Sequence, residues 1–225
     1  MIVNTIRSFV RRGRVTSGQK RALDTLSSQY LIEYQAQLLN LDAIFNRNAA
    51  KHVEIGFGSG DALIAMAEQQ PENDYLGIDV YRSGIAKLLM QIENKQLTNI
   101  RVICANAVDV FVHCLPIESI DAVYLFFPDP WHKKRHHKRR LVQPTFVNLL
   151  ASKMKSGAYL HLATDWEDYA QQMLQILDEN QLVKNDVGIG CFAPRLQQRP
   201  LTKFERRGQH LGHSVWDLRY AVIEK

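Results

Sequence analysis

Residues 128–140, Pro-Asp-Pro-Trp-His-Lys-Lys-Arg-His-His-Lys-Arg-Arg, join a lone carboxylate to a dense cationic run. Asp129 stands between two prolines at the end of the apolar run Ala122 to Phe127, and six Lys/Arg and three His fill positions 132–140. Proline fixes φ and has no N–H, so Asp129 is expected at a stiff strand end rather than on a helix. The run can neutralise several phosphates. A positioned acid beside a polyanion-binding strip points to chemistry on nucleic acid. The plainer alternative is a solvated basic loop or a nuclear-localisation patch, although such patches seldom follow a buried strand with a Pro-Asp-Pro corner.

A second constellation is Glu54-Ile-Gly-Phe-Gly-Ser-Gly. Glycines at 56, 58 and 60 allow a sharp strand-to-helix turn and close approach of a ligand. A dinucleotide turn reads G-x-G-x-x-G and aims a helix N-terminus at a pyrophosphate. Here the third glycine comes one place earlier, and Glu54 would repel a pyrophosphate while attracting an ammonium or sulfonium. Asp79 ends the next predicted strand, where an acid grips ribose hydroxyls in nucleotide folds. Together Glu54, Asp79 and the glycines point to S-adenosylmethionine. The alternative is a glycine-rich turn with solvated acids. Asn106 follows the third strand, where it can face an adenine edge or cap a helix.

The elements that must position these residues alternate regularly. Strands are predicted at 51–56, 74–80, 100–104, 120–127 and 158–163, with a closing strand at 215–223. Helices are predicted at 61–70, 82–96, 143–155 and 166–179, the last with Asp165 as a candidate N-cap. Upstream, 24–36 reads as a helix or irregular cover. Such alternation implies a doubly wound α/β sheet. The expected division is a basic arm and cover over 1–50 and a catalytic domain with nucleic-acid-binding loops over 51–225. No repeat, low-complexity tract or linker interrupts it.

Charge sharpens the expected partner. Net charge is +5, yet residues 1–23, 129–140 and 195–207 together carry +15, leaving −10 for the remainder. An acidic body with three basic segments suits a polyanion better than a uniformly basic surface. Cys104, Cys114 and Cys191 are odd in number and lack CxxC spacing, which argues for a reducing compartment, free buried thiols and no structural zinc. No apolar stretch approaches the roughly 18 residues of a membrane span. The Arg-rich start also fits a transit peptide, but an arm ordered by nucleic acid explains the same composition.

With these residues in view, the chain resembles the bacterial tRNA (guanine-N7)-methyltransferase family over nearly its whole length. The resemblance rests on Ile6-Arg-Ser-Phe-Val-Arg-Arg, the 54–60 turn, Phe127-Pro-Asp-Pro-Trp-His-Lys-Lys-Arg-His, and Ala163-Thr-Asp-Trp-Glu. Arg199-Pro-Leu-Thr-Lys-Phe-Glu-Arg-Arg-Gly and Leu211-Gly-His complete it. It implies a class I S-adenosylmethionine-dependent methyltransferase fold, a mostly parallel seven-stranded sheet. The activity implied is methyl transfer to N7 of a guanosine in the tRNA variable loop. The enzyme would be cytoplasmic, with no metal and no obligate protein partner.

The same resemblance implies that Glu54, Gly56, Gly58, Gly60, Asp79 and Asn106 hold the cofactor. Asp129 would touch it and lie at the reaction centre. Lys133, Asp165, Thr202, Lys203, Phe204 and Glu205 would bind the target nucleotide, while Arg135, Lys138, Arg139 and Arg140 contact tRNA. Two positions depart from the family pattern. Asp79 stands where glutamate is usual, and Asn106 where aspartate is usual; the latter keeps an acceptor but loses a charge. Two other readings compete. An adenine amino-methyltransferase would carry Asn/Asp-Pro-Pro-Tyr/Phe at this strand end, and a non-catalytic RNA-binding module would keep only the pocket.

Overall fold

A computed structural model describes residues 15–195, Arg199, Glu205 and 214–224. The chain divides near Leu115 into two compact units.

The first unit opens with α1 (Ser17–Tyr30). This helix starts earlier than the apolar pattern suggests because Thr16 and Gln19 form a capping box, side chain to backbone in both directions. It ends where Leu31 turns extended and enters the two-residue strand β1 (Leu31–Ile32), which pairs with β4. After the short helix α2 (Leu41–Phe45) come β2 (Lys51–Ile55), α3 (Asp61–Gln69), β3 (Asp74–Asp79), α4 (Arg82–Lys95), β4 (Ile100–Cys104) and α5 (Ala107–His113).

The strands run parallel in the order β1-β4-β3-β2, with Glu54 beside Gly77 and Asp79 beside Cys104. β2 is buried at every position and β3 at all but its last, as strands covered on both faces must be. Leu63, Ile64 and Met66 from α3, and Ile85, Leu88, Leu89 and Ile92 from α4, are buried at helical spacing. Parallel pairing brings the C-terminal ends of β2, β3 and β4 to one rim, where open α/β sheets bind ligands.

The second unit carries β5 (Ile120–Phe126), a 3₁₀ helix (Lys134–Arg139), α6 (Pro144–Lys153), β6 (Met154–Thr164), α7 (Glu167–Asp178), β7 (Val183–Asn185) and β8 (Trp216–Val222). β5 and β6 are parallel, while β6–β8 and β8–β7 are antiparallel, giving the order β5-β6-β8-β7. Phe146, Val147 and Leu150 of α6, with Tyr169, Met173 and Leu177 of α7, fill the core.

The described strands number eight rather than the expected seven; β1 is too short to leave a periodic trace. Cys104 and Cys191 are exposed, contrary to the expectation of buried thiols, and only Cys114 is buried. No helix among the described residues is long and apolar enough to cross a membrane.

Candidate active site

Glu54 is the fourth residue of β2 and only 3% exposed. Its Oε2 is buried without a hydrogen-bond partner among the described residues. Burial, then the nearby carboxylates of Asp79 and Asp61, push its pKa up to about 8. A buried carboxylate held this way favours either a proton or a cation. The donor set therefore fits the amino or sulfonium group of S-adenosylmethionine better than any anion.

The glycine turn over this acid is closely built. Gly56, Gly58 and Gly60 all have φ between 58° and 79°. At Gly60 a Cβ would lie 2.6 Å from Leu88 Cδ1, so the turn packs against α4. Gly84 is tighter still: a Cβ there would sit 1.9 Å from the Gly58 carbonyl oxygen. Gly84 was not singled out from the sequence, where it reads only as a glycine near a helix start. Asp79 braces the same turn. Its Oδ2 accepts the Gly58 N–H (2.8 Å), and Oδ1 accepts those of Val80 (2.7 Å) and Tyr81 (2.9 Å). Asn106 caps α5, its Oδ1 accepting the Val108 N–H at 2.8 Å.

In the second unit, Asp129 is exposed just beyond β5. The backbone on either side is strained: Phe127 has φ 52° and Trp131 φ 48°, left-handed values unfavourable for bulky aromatics. Each costs on the order of 1–3 kcal/mol, and such strain concentrates at functional sites. The Phe127 N–H is tied to the Ala163 carbonyl at 2.8 Å. Lys133, Arg135, Lys138 and Arg139 are exposed on and beside the 3₁₀ helix, an open cationic strip. Desolvation, then Arg139, Arg135 and neighbouring lysines, lower the pKa of His136, so it adds little charge to that strip at neutral pH. The Arg139 guanidinium lies over the Trp131 ring at 5.0 Å.

Two of the anticipated tRNA contacts are placed otherwise. Arg140 is 1% exposed, and its donors meet Pro130, Gln172 and Asp168. Glu205 is fully buried, paired with Arg199 and Arg195. Asp165 is half-buried and does not cap α7, whose N-cap is Trp166 with no side-chain cap; Thr164 Oγ1 accepts the Trp166 N–H instead. Thr202, Lys203 and Phe204 lie outside the described residues. Arg199 was read only as part of a motif, yet it is a buried hub. Nothing local marks it, because its partners Glu205 and Asp217 meet it through the fold.

Residues 48–218 match the family model described as "Putative methyltransferase". The tRNA (guanine-N(7)-)-methyltransferase of Nitrosospira multiformis is 54% identical over 215 residues, 95% of this chain and 93% of that protein. The same-named protein of Alcanivorax borkumensis is 48% identical, covering 96% of this chain and 91% of its own length. Among solved structures, the 16S rRNA methyltransferase KamB aligns with TM-score 0.57 over 97% of this chain and 99% of that one. Its 14% identity speaks for the fold alone, that of class I S-adenosylmethionine-dependent methyltransferases. Near-complete coverage at about half identity, with the Glu54 turn and the Asp129 corner both in place, settles the kinship: the chain belongs to the bacterial tRNA (guanine-N7)-methyltransferase family.

Proposed function

We propose that this protein methylates N7 of a guanosine in tRNA, in the variable loop, with S-adenosylmethionine as donor. The observation that carries the donor is the orphaned, proton-hungry Glu54 beneath a glycine turn. When bound, the donor supplies an electrophilic methyl group on a sulfonium. Glu54 would hold its cationic end, the 56–60 backbone would let it approach closely, and Asp79, which keeps that turn in shape, would be the acid that meets the ribose.

Guanine N7 carries an in-plane lone pair on the major-groove edge and needs no deprotonation before it attacks. Methyl transfer from the sulfonium to N7 would leave the base cationic. The protein's work is therefore alignment and charge compensation. Asp129 accepts from guanine N1–H and the exocyclic amine and offsets the developing charge. It is not a general base. Lys133, Arg135, Lys138 and Arg139 bind phosphates, and Asp165 and the 202–204 segment contact the target nucleotide.

A tRNA substrate implies work in the cytoplasm. Against an adenine amino-methyltransferase stands the corner itself, with one proline before the acid and one after. Incubation with labelled donor and unmodified tRNA, followed by nucleoside digestion, tests the reading. Label in 7-methylguanosine supports it. Label in an N-methyladenosine overturns it, and donor binding without transfer favours a non-catalytic module.

A further inference from the structure

The two buried arginines among the described residues, Arg140 and Arg199, both reach the Pro-Asp-Pro loop. That loop can do little to hold itself. Pro128 and Pro130 lack N–H groups, so between Phe127 and Trp131 only Asp129 has a backbone donor. Its flanking aromatics are in left-handed conformations that the surroundings must enforce.

Arg140 grips the far side of the loop. Its Nε donates to the Pro130 carbonyl at 2.8 Å. Nη1 donates to Gln172 and Nη2 to Asp168, with His137 Nε2 3.1 Å away. The guanidinium rests 4.7 Å from the Tyr169 ring centroid, and Tyr169 is itself pinned where its hydroxyl accepts the Val142 N–H. Arg199 grips the near side. Its guanidinium lies 5.8 and 5.6 Å from the Phe126 and Phe127 rings. It pairs with Glu205 through Nη1 (2.7 Å) and Nη2 (2.8 Å), and with Asp217 through Nε (2.8 Å) and Nη2 (3.1 Å). Asp217 Oδ1 also meets His161 Nε2 at 2.8 Å. Both cations are spent on the protein. A planar fork engaged on several sides holds its neighbours in one arrangement.

We propose that Arg140 and Arg199 are positioning residues that clamp the Asp129 loop from its two ends, and that Arg140, though last in a basic run, does not contact tRNA phosphate. The proposal rests on the methyl-transfer reading above and assigns to Arg140 and Glu205 structural roles in that same site.

The test measures steady-state methylation, salt dependence of tRNA binding and amide hydrogen exchange in Arg140→Met, Arg140→Lys, Arg199→Lys and, as a surface control, Arg139→Ala. Arg140→Met is expected to lose about 10²-fold in kcat, the scale of a small misplacement of an aligned group. KM for tRNA and donor affinity should stay within a few-fold, and the salt slope should match wild type. Arg139→Ala should instead flatten the slope by about 0.7–0.9, one phosphate contact. Arg140→Lys and Arg199→Lys keep charge but lose the fork, so kcat should still fall about tenfold or more with donor binding intact. They decide the matter if Arg140→Met fails to fold. Amide exchange at Asp129 and Trp131 should quicken in each clamp variant, a readout independent of turnover. Full kcat in Arg140→Lys, or a salt slope flattened in Arg140→Met as in Arg139→Ala, overturns the proposal. A wild-type protein that methylates no guanosine sinks the reaction reading instead, and the exchange data still judge the clamp.

Discussion

The backbone N–H of Gly58 donates to Asp79 Oδ2 over 2.8 Å, so the acid ending β3 holds the glycine turn that follows β2. Asp79 thus has a second task beside the ribose contact expected of it, and its short side chain suits the reach to Gly58. Asp79→Ala releases the N–H groups of Gly58, Val80 and Tyr81 together. It should weaken S-adenosylmethionine binding about 10–100-fold, the scale of one or two lost charge-assisted hydrogen bonds. Calorimetry giving wild-type affinity would remove Asp79 from both roles.

Glu54 predicts an unusual pH response. Its folded-state pKa is raised from 4.5 to about 8, so the native protein keeps a proton that the unfolded chain releases. The stability this group contributes is full below pH 4.5 and is lost as pH climbs to about 8. Glu54→Gln should therefore raise the melting temperature of the free protein at pH 8 by several degrees while abolishing donor binding. Binding a cationic donor near pH 7 must expel the proton, so affinity should strengthen toward pH 8. Calorimetry in two buffers of different ionisation enthalpy reads that release directly; a signal independent of buffer would count against the assignment.

Gly84 should not tolerate even a methyl group. Gly84→Ala places a carbon 1.9 Å from the Gly58 carbonyl, and relief requires α4 or the turn to move. Overpacking of this kind costs about 1–3 kcal/mol, or roughly 2–10 °C in melting temperature for a domain of this size. Thermal unfolding and donor affinity should fall together. Loss of neither would show that the contact is not as close as described.

Asp129→Asn keeps shape and one acceptor but removes the charge that offsets the methylated base. kcat should drop about 10²–10³-fold. Donor affinity, assigned mainly to Glu54 and its turn, should fall no more than a few-fold. Single-turnover rates at saturating tRNA check this, and near-wild-type turnover would leave Asp129 as a turn-forming acid only.

The division between what was legible in the sequence and what was not follows the range of the interactions. The strand leading to Asp129 is a nearly continuous apolar run closed by Pro128, and the strand carrying Glu54 runs straight into the Gly56 turn, so composition over a few residues reveals them. α5 escaped because Ala107 to Val112, interrupted by Asp109, is too short to show a helical period. Arg140 looked like its cationic neighbours until α7 brought Asp168 and Gln172 against it, across about 30 residues of chain. Glu205 was expected at the substrate only through the family resemblance, and its pairing with Arg195 and Arg199 was hidden because those arginines read as part of a polyanion-binding segment.

The central claim is the atom that receives the methyl group. Reduction with borohydride and scission with aniline cut RNA at 7-methylguanosine, whose ring is activated by its positive charge. An unmodified tRNA transcript treated with this protein and S-adenosylmethionine should be cut once, at a guanosine of the variable loop, and the Asp129→Asn protein should leave it nearly intact. A transcript that takes up the methyl group yet resists cleavage would contradict the account.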